Sequence, residues 1–484
     1  MGACRSVDLR TRVFTLFFKS FAFLIVLGLG LPGCAKKKNA ALDPDLARFV
    51  SAKRIQTKEL AQAETNRVPR LVWQFFDEVL RNDWPAATNL SERLNQASGR
   101  YANPPTSASS KTALVLEGIR QALGLRQAPL PALRSATWAP IMETIGAYEN
   151  FHDWDSKWLH RFGRDIIDSI PTNSIYFGGT DPGRFVISVL CESHRDGRPF
   201  FTVTQNQFAD GTYLVYLQSM YGKRIYIPSE EDSQEAFQNY LSDAQSRLKT
   251  GQLKPGENVR IVDGRVQVSG QVAVMEINGL LASVMVERNP GREFYIEESF
   301  PLDWMYPHLS PHGLILKLHA TPLAELTGEM AHKDQQFWER YVRELIGDWL
   351  RRETSVKDVC AFAEKTFLQK DLSGFTGDPG FARNESAQKT FSKCRSAIAG
   401  VYAWRADKAR TAEEKSRMRR EANLAFRQAF ALCPYSPEAV YRYAQLLASE
   451  SRREDALLVA KTALRLTPKE ASLQSLVGSL LKAE

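Results

Sequence analysis

The sequence lacks an apolar run long enough to form a transmembrane helix. Its longest uninterrupted run covers residues 21–31, about 11 residues, whereas a membrane-spanning helix needs roughly 20. Lys19 separates this run from the apolar residues 14–18. A durable transmembrane anchor is therefore not predicted.

The sequence also contains few cysteines, six in 484 residues, and no CxxC pair. Because the cysteines are widely spaced, a zinc site is not predicted. We also expect no other metal and no cofactor. Four of them lie in the body of the chain: Cys191, Cys360, Cys394 and Cys433. They could form disulfides in an oxidising compartment, and their spacing does not decide which of them pair.

The folded part of the chain has little excess charge of either sign. The formal net charge is +8, but the residues before Cys34 hold four basic side chains and one acidic one, a net +3. The lysines at positions 36–38 account for three more charges, which leaves +2. Because nucleic-acid binding needs a basic face on the folded body, this distribution argues against it.

The N-terminal residues have the layout of an export signal. Arg5, Arg10 and Arg12 precede the apolar run, which ends in Leu-Pro-Gly-Cys at residues 31–34. This ending resembles the lipobox of bacterial lipoproteins, which implies acylation and a new N-terminus at Cys34. We therefore expect a lipid-anchored protein of the bacterial cell envelope, facing the periplasm or exterior. A signal peptide with an incidental cysteine and an uncleaved anchor are the alternatives.

Pattern and composition divide the chain into six segments. These are a signal peptide (1–33), a tether with an N-terminal helix (34–66), a mainly helical segment (67–165), an α/β domain (166–330), a helical linker domain (331–410) and a repeat region (411–484). Within the helical segment, residues 67–96 are predicted to form one helix and residues 112–123 another.

The central segment predicts an α/β fold, with a mostly parallel sheet flanked by helices and followed by an all-α domain. Residues 174–177, 200–204 and 224–227 have strand patterns, and stretches with a helical pattern separate them. Strands separated by helices of this length indicate right-handed crossovers between parallel strands. Ligands of such sheets bind at the carboxyl ends of the strands.

The turn after the first of these strands is the main candidate for a ligand site. Its notable residues are Gly178, Gly179, Thr180, Asp181 and Arg184. Glycines allow an anion to approach the backbone, and Arg184 supplies a positive charge suited to phosphate. The alternative is structural, with Asp181 as the cap of a helix that begins at a proline. The turn lacks the spacing of a P-loop or a dinucleotide fingerprint.

Three further residues complete the predicted cleft: Asn206, Asp210 and Glu298. Close to Glu298 in the sequence, His308 and His312 with the neighbouring acids offer metal-ligating or acid/base groups. Pro311 lies between the two histidines and prevents them from sharing a helical face. A strand, a turn and a second strand over residues 313–318 are therefore predicted there instead of a metal site.

Four stretches of the sequence resemble a known family. They are IYFGGTDPGRF (175–185), TQNQFADGTY (204–213), FYIEESFPLDWMYPHLSPHGLILKL (294–318) and FSKCRSAIAGVYAWR (391–405). They are similar to the extramembrane portion of polytopic membrane proteins of the protein O-mannosyltransferase-like, GT-C type, which often end in tetratricopeptide repeats. Those proteins carry their catalytic acids on a membrane part that this chain lacks. The resemblance implies a detached accessory module that could recognise a glycan, a lipid-linked sugar or a polypeptide acceptor.

The end of the chain repeats with a period of 34 residues. The recurring residues are Ala422, Ala429 and Pro434, which return as Ala456, Ala463 and Pro468. These match the small-residue and closing-proline positions of tetratricopeptide (TPR) repeats, where small residues let paired helices approach closely. A generic helical hairpin is the alternative. Residues 473–481 are predicted to form the capping helix.

Two hypotheses for the function follow. In the first, the chain is a membrane-anchored exported lipoprotein that binds a protein or peptide through its TPR-like tail and α/β domain, without catalysis. In the second, it is an accessory or catalytic subunit of machinery for envelope glycan or protein glycosylation. Convergence of five side chains in one pocket would favour the second hypothesis, whereas a purely capping role of Asp181 would weaken it. The five are Asp181, Arg184, Asn206, Asp210 and Glu298.

Overall fold

The computed structural model describes residues 41–99, 131–262, 265–299 and 301–482. The predicted signal peptide, Cys34, most of the tether and the helix predicted at residues 112–123 lie outside these ranges. Among the helices in these ranges, none combines the length and the apolar character needed to cross a bilayer. The described chain is mostly helical, with one small mixed sheet and one separate hairpin.

Helices make up the N-terminal part of the described chain. They are α1 (Pro44–Ala63), α2 (Arg70–Leu80), α3 (Trp84–Ser98), α4 (Trp138–Asp153) and α5 (Ser156–Ser169). The prediction of one helix over residues 67–96 is wrong, because Asn82 adopts a φ of 56° and interrupts it. The carboxylate of Asp83 then starts α3 by accepting a hydrogen bond from the Ala86 amide at 3.1 Å.

A five-stranded mixed sheet lies at the centre of the chain. The described strands are β1 (Ile175–Gly178), β2 (Phe201–Thr204), β3 (Asn258–Val262), β4 (Arg265–Ser269), β5 (Phe294–Glu297), β6 (Leu309–His312) and β7 (Ile315–Leu318). The sheet has the order β2-β1-β5-β7-β6, while β3 and β4 form the hairpin. β1 is parallel to β2 and β5, whereas β7 is antiparallel to β5 and β6. The expectation of a mostly parallel sheet therefore holds for only three strands.

Residues 224–227 form no strand, contrary to the prediction. The side chain of Asn289 occupies both backbone groups of Tyr226, because its Oδ1 accepts from the Tyr226 amide at 2.9 Å and its Nδ2 donates to the Tyr226 carbonyl at 3.0 Å. A β ladder would need those same backbone groups. The third parallel strand of the sheet is β5 instead.

Four helices accompany the strands. They are α6 (Ile187–Leu190), which continues a π-helical turn over Pro182–Val186, α7 (Gly211–Tyr221), α8 (Glu230–Thr250) and α9 (Gln271–Glu287). The β3–β4 hairpin packs on α8 and α9 around a small core that includes Tyr240, Ala244, Val259 and Ala273. These two helices and the hairpin form a subsidiary unit with a core of its own.

The C-terminal part of the described chain is entirely helical. Its helices are α10 (Gly328–Ile346), α11 (Val356–Ala363), α12 (Pro379–Arg383), α13 (Glu385–Lys408), α14 (Ala412–Leu432), α15 (Pro437–Ser449), α16 (Arg453–Leu466) and α17 (Ala471–Lys482). α15 contacts both α13 and α17, whereas α14 and α16 both contact α11. The sheet and these helices share one hydrophobic core, so they belong to the same folded body.

A buried ion pair joins two helices of this body. Arg395 of α13 donates to the carboxylate of Asp334 of α10 at 2.8 Å, and each side chain is only 2% exposed. The Tyr402 hydroxyl donates to the same carboxylate oxygen at 2.9 Å. Because a buried charge without its partner is costly, α10 and α13 must stay docked at this point.

Replacing Asp334 with alanine should lower the free energy of unfolding by about 3–5 kcal/mol, because it leaves the Arg395 guanidinium buried without its counter-charge. Urea denaturation followed by circular dichroism measures this change. Glu329→Gln, an exposed change on the same helix, is the control and should leave the free energy of unfolding unchanged. A loss below about 1 kcal/mol for D334A would show that the pair does not hold the helices together.

Candidate functional site

The three parallel strands end at one edge of the sheet. Gly178, Thr204 and Glu297 are the last residues of β1, β2 and β5, and Gly178 stands between the other two in the register. The loops that carry most of the predicted site residues leave the sheet here. We call this region the carboxyl edge.

Glu297 is the buried centre of the carboxyl edge, with only 3% of its surface exposed. Its carboxylate accepts hydrogen bonds from the Thr180 amide at 3.1 Å and from the Thr180 hydroxyl at 2.8 Å. Burial, and then the neighbouring charge of Glu298, raises the pKa of Glu297 to about 7. The predicted ligand residues did not include this side chain, because the pattern did not show which of two adjacent acids lies inside.

Close packing explains the glycines in the turn after β1. A Cβ atom on Gly183 would collide with the carboxylate of Glu297, and a Cβ atom on Gly179 would collide with the carboxylate of Glu298. The glycines therefore let the turn approach two acids. Two acidic side chains beside the glycines do not favour a bound phosphate, and the anion site stays a prediction.

Glu298 receives hydrogen bonds from the loop after β2. The side-chain amides of Gln205 and Asn206 donate to its Oε2 at 3.3 Å and 3.1 Å. Asn278 of α9 fixes that loop, because its Nδ2 donates to the Asn206 carbonyl at 2.9 Å and its Oδ1 accepts from the Ala209 amide at 2.7 Å. Two of the predicted residues, Asn206 and Glu298, are thus in direct contact.

Asp181 and Arg184 bind each other at the start of the next helix. Nη2 of Arg184 lies 2.6 Å from Oδ1 of Asp181, and the guanidinium lies over the Phe185 ring at 4.3 Å. Asp181 stands at the predicted cap position, but its carboxylate makes no capping hydrogen bond. The Thr180 hydroxyl accepts one instead, from the Gly183 amide at 3.1 Å.

Asp210 has a structural role at another helix. Its carboxylate caps α7 by accepting hydrogen bonds from the Thr212 amide at 2.9 Å and from the Thr212 hydroxyl at 2.7 Å. Asp210 therefore has a capping role. The predicted residues that the structure brings together at the carboxyl edge include Gly178, Gly179, Thr180, Arg184, Asn206 and Glu298.

Two helices of the C-terminal tail close over the carboxyl edge. Lys393 of α13 lies 3.4 Å from Glu438 of α15. Burial alone would lower the pKa of Lys393, but the charges of Glu438 and Glu297 outweigh this effect and raise it. Arg442 of α15 donates to the Ser299 carbonyl at 2.9 Å. No spacing in the sequence links these tail residues to the sheet.

One small cavity lies beside the two acids of the carboxyl edge. The cavity beside Glu297 and Glu298 has a volume of only about 10 Å³, and Cys394 and Ala397 of α13 line its other side. A cavity of this volume holds at most one water molecule. Three buried polar atoms in the described ranges nevertheless lack a hydrogen-bond partner here: Arg184 Nε, Gln205 Oε1 and Asn206 Oδ1.

The cysteines considered in the sequence are free thiols, and each of the two histidines makes its own hydrogen bond. Cys191, Cys360, Cys394 and Cys433 are buried and free, so the disulfides left open by the sequence are not formed. Burial raises the thiol pKa of Cys191 to about 12. The two histidines bind backbone carbonyls at 2.8 Å: His308 that of His319, and His312 that of Ser169.

One group of side chains in the described ranges has a spacing that could hold a metal ion, formed by Asp43, Asp45 and His160. Asp43 already caps α1 by accepting from the Asp45 amide at 2.9 Å. Asp45 pairs with Arg164 at 3.2 Å. Cations and amides of the protein already contact these carboxylates. We therefore interpret the group as part of the start of α1.

Comparison with known proteins adds no family assignment. No protein-family model matches the sequence, and no curated protein is significantly similar to it. The resemblance based on the four quoted stretches therefore stays a prediction. The function has to be inferred from the residues themselves.

The stability of the protein should fall with rising pH because of Glu297. Its pKa is about 7 in the folded protein, against an ordinary 4.5, so between these pH values the folded state keeps a proton that the unfolded chain has lost. Ionising the buried acid costs about 3 kcal/mol. The glutamine of Glu297→Gln cannot ionise. The free energy of unfolding of the wild type should therefore fall by about 3 kcal/mol relative to that of this variant between acidic and mildly alkaline pH.

Urea denaturation below the ordinary glutamate pKa, near neutrality and above it measures this difference. The matched control is Glu287→Gln on α9, an exposed acid whose removal should leave the pH dependence of the wild type intact. Both proteins retain Thr180, Glu298 and Lys393, so these residues do not account for a difference in pH dependence. Parallel pH profiles of the wild type and Glu297→Gln would contradict the raised pKa.

Gly183→Ala should destabilise the protein by about 1–3 kcal/mol, because the added methyl group overlaps the Glu297 carboxylate. Gly211→Ala is the matched control, since a Cβ atom there meets no atom within 4 Å. It should leave the stability unchanged or raise it by up to about 1 kcal/mol, because alanine favours the helix. Thermal unfolding followed by circular dichroism compares the two, and equal melting temperatures would refute the close approach.

Proposed function

We propose that this chain is an exported lipoprotein, attached to a membrane through Cys34, that binds a protein or peptide without catalysing a reaction. The basic residues, the short apolar run and the Leu-Pro-Gly-Cys ending support export and attachment. They also support a location in the bacterial cell envelope, with the folded body facing the periplasm or exterior.

The acids at the carboxyl edge are hydrogen-bonded to other side chains of the protein. This observation supports the part of the proposal that assigns no catalysis. Glu297, Glu298 and Asp181 each accept hydrogen bonds from other side chains of the protein. The neighbouring cavity of about 10 Å³ has no space for a substrate. Because a catalytic acid or base must reach a bound substrate, Glu297 and Glu298 serve better as supports of the fold.

The helical tail supports the binding of a protein or peptide. The alanines of the 34-residue pattern, Ala422, Ala429, Ala456 and Ala463, are all 0% exposed, as expected where paired helices approach closely. We infer TPR-like hairpins from this agreement of spacing and burial. Because β6 and β7 pack against α13 and most of α15 is buried, the proposed partner surface lies on the exposed C-terminal end of α15 and on α17.

One observation favours the second hypothesis, an accessory or catalytic subunit of envelope glycan or protein glycosylation machinery. Arg184 Nε, Gln205 Oε1 and Asn206 Oδ1 are buried without partners in the described part of the chain. Buried polar atoms are costly unless another group meets them. If α13 and α15 moved aside, the hydroxyl groups of a glycan or a lipid-linked sugar would find donors and acceptors there.

Cys34→Ser should move the protein from the membrane fraction to the soluble fraction, because serine cannot receive the thioether-linked lipid that provides the binding energy. Labelled palmitate should enter the wild type and not the variant. Cys4→Ser is the matched control, since Cys4 lies in the proposed signal, and it should behave like the wild type. Retention of Cys34→Ser in the membrane fraction would contradict attachment through this residue.

Affinity capture of the acylated full-length protein from cell envelopes, after cross-linking in intact cells, distinguishes the two hypotheses. The first predicts a protein partner whose capture survives Glu297→Gln and Glu298→Gln, because the carboxyl edge only supports the fold. Reproducible capture of a polytopic glycosyltransferase, lost in Glu298→Gln, would favour the second hypothesis and overturn the first.

A further inference from the structure

A groove of about 570 Å³ lies between α5 and α10. Its size falls within the roughly 300–1,000 Å³ of small-molecule sites. Arg161, Asp165 and Asp168 of α5 line one side, and Phe337 and Tyr341 of α10 line the other. No residue of the carboxyl edge contributes to it. We call it the α5–α10 groove.

The groove has one half-buried aromatic ring, Phe337, which rests on the buried ring of Tyr341. The rings of Phe337 and Tyr341 are stacked, with centroids 5.0 Å apart and an interplanar angle of 25°. The Tyr341 hydroxyl donates to Asp165, and the Arg161 guanidinium lies over the Tyr341 ring at 4.5 Å. Glu344 in turn pairs with Arg161. The positions of Tyr341, Arg161 and Asp165 are therefore set before a ligand binds, which lowers the ordering cost of binding.

Two charged side chains at the rim of the groove have no oppositely charged partner within the described ranges. Within the described ranges, Asp168 has neither an ion pair nor a hydrogen bond through its side chain, and Arg340 has no ion pair and lies over the Phe337 ring at 5.6 Å. Both side chains are exposed. One free carboxylate and one free guanidinium suit a ligand that has donors and acceptors but little net charge.

We propose that the α5–α10 groove binds a sugar ring of little net charge. A pyranose ring has an apolar face of C–H groups that packs on an aromatic ring, and hydroxyl groups around its rim that both donate and accept hydrogen bonds. Phe337, the half-buried ring, is the platform. Asp168 accepts from the sugar hydroxyls and Arg340 donates to them. Since Arg340 makes no ion pair with the residues that the structure describes, it leaves the ring face without breaking one.

The groove lies beside the point where the tether enters the folded body. Asp43, at the start of α1, is 3.4 Å from His160, which lies on the same helix, α5, as the groove residues Arg161 and Asp165. The nine residues from 35 to 43 can reach at most about 32 Å, at about 3.6 Å per residue. With Cys34 in a bilayer, both a glycolipid headgroup and a free oligosaccharide are accessible. The membrane source, but not the sugar chemistry, rests on the proposed function.

Binding of the full chain, in a detergent without a sugar headgroup, to an array of neutral and uronic-acid oligosaccharides tests the sugar chemistry. We expect saturable binding to neutral members. Phe337→Leu keeps an apolar side chain but removes the ring, and it should weaken binding by about threefold to tenfold. Asp168→Asn should weaken it by about tenfold. Glu339→Gln, exposed on α10 and outside the groove lining, is the matched control and should bind like the wild type.

Cosedimentation with phosphatidylcholine vesicles, with or without a neutral glycolipid, distinguishes the two sources of the sugar. The Cys34→Ser chain is used, so that acylation contributes nothing. Pelleting only with glycolipid vesicles identifies a glycolipid headgroup as the ligand. Array binding without pelleting identifies a free oligosaccharide. Either result supports sugar binding in the groove.

The proposal is overturned if no sugar binds saturably in either format, or if the wild type, Phe337→Leu and Asp168→Asn bind equally. Circular dichroism verifies the folding of Phe337→Leu, and Asp168→Asn, an exposed change, keeps the test decisive if that variant does not fold. Loss of acylation at Cys34 would leave the array result unchanged, so failure of the lipoprotein proposal is recognisable separately.

Discussion

The buried carboxylate of Glu297 is the constraint on which the carboxyl edge depends. A buried acid needs hydrogen-bond donors, and the backbone and hydroxyl of Thr180 provide them. The turn can bring Thr180 this close only because Gly179 and Gly183 have no Cβ atom. Lys393 then adds a positive charge from α13. The Gly-Gly-Thr-Asp-Pro-Gly sequence is therefore best understood as a turn built around an acid.

The same principle, a buried charge that requires one particular neighbour, operates elsewhere in the body. Lys53 of α1 lies 2.6 Å from Glu143 of α4, and His194 lies 3.1 Å from the other oxygen of that carboxylate. Burial alone would raise the pKa of Glu143, but Lys53 and His194 hold it well below its usual range. Such pairs add little stability compared with apolar packing, yet removing one partner is costly. They therefore fix which helices dock together, while the shared hydrophobic core supplies most of the stabilisation.

Features with local causes could be predicted from the sequence, and features with distant causes could not. β1, β2, β5 and β7 follow from short apolar runs bounded by glycine, proline or polar residues, and the helices from their apolar periodicity. The failure at residues 224–227 arises from Asn289, a side chain distant in the sequence that takes the backbone groups of Tyr226. The contact of Arg442 with the Ser299 carbonyl likewise depends on how the tail docks, which no local pattern encodes.

The candidate site shows the same division between features with local causes and features with distant causes. The turn after β1 is conspicuous because close packing requires rare residues, glycine and proline, at fixed positions. The residues of the α5–α10 groove are inconspicuous, since Arg161, Asp165 and Asp168 have the ordinary spacing of an exposed helix face. Only the structure shows which polar groups are committed to the fold and which remain available. Because a ligand can bind only groups that the fold has left available, Asp168 and Arg340 are better guides to function here than the glycine-rich turn.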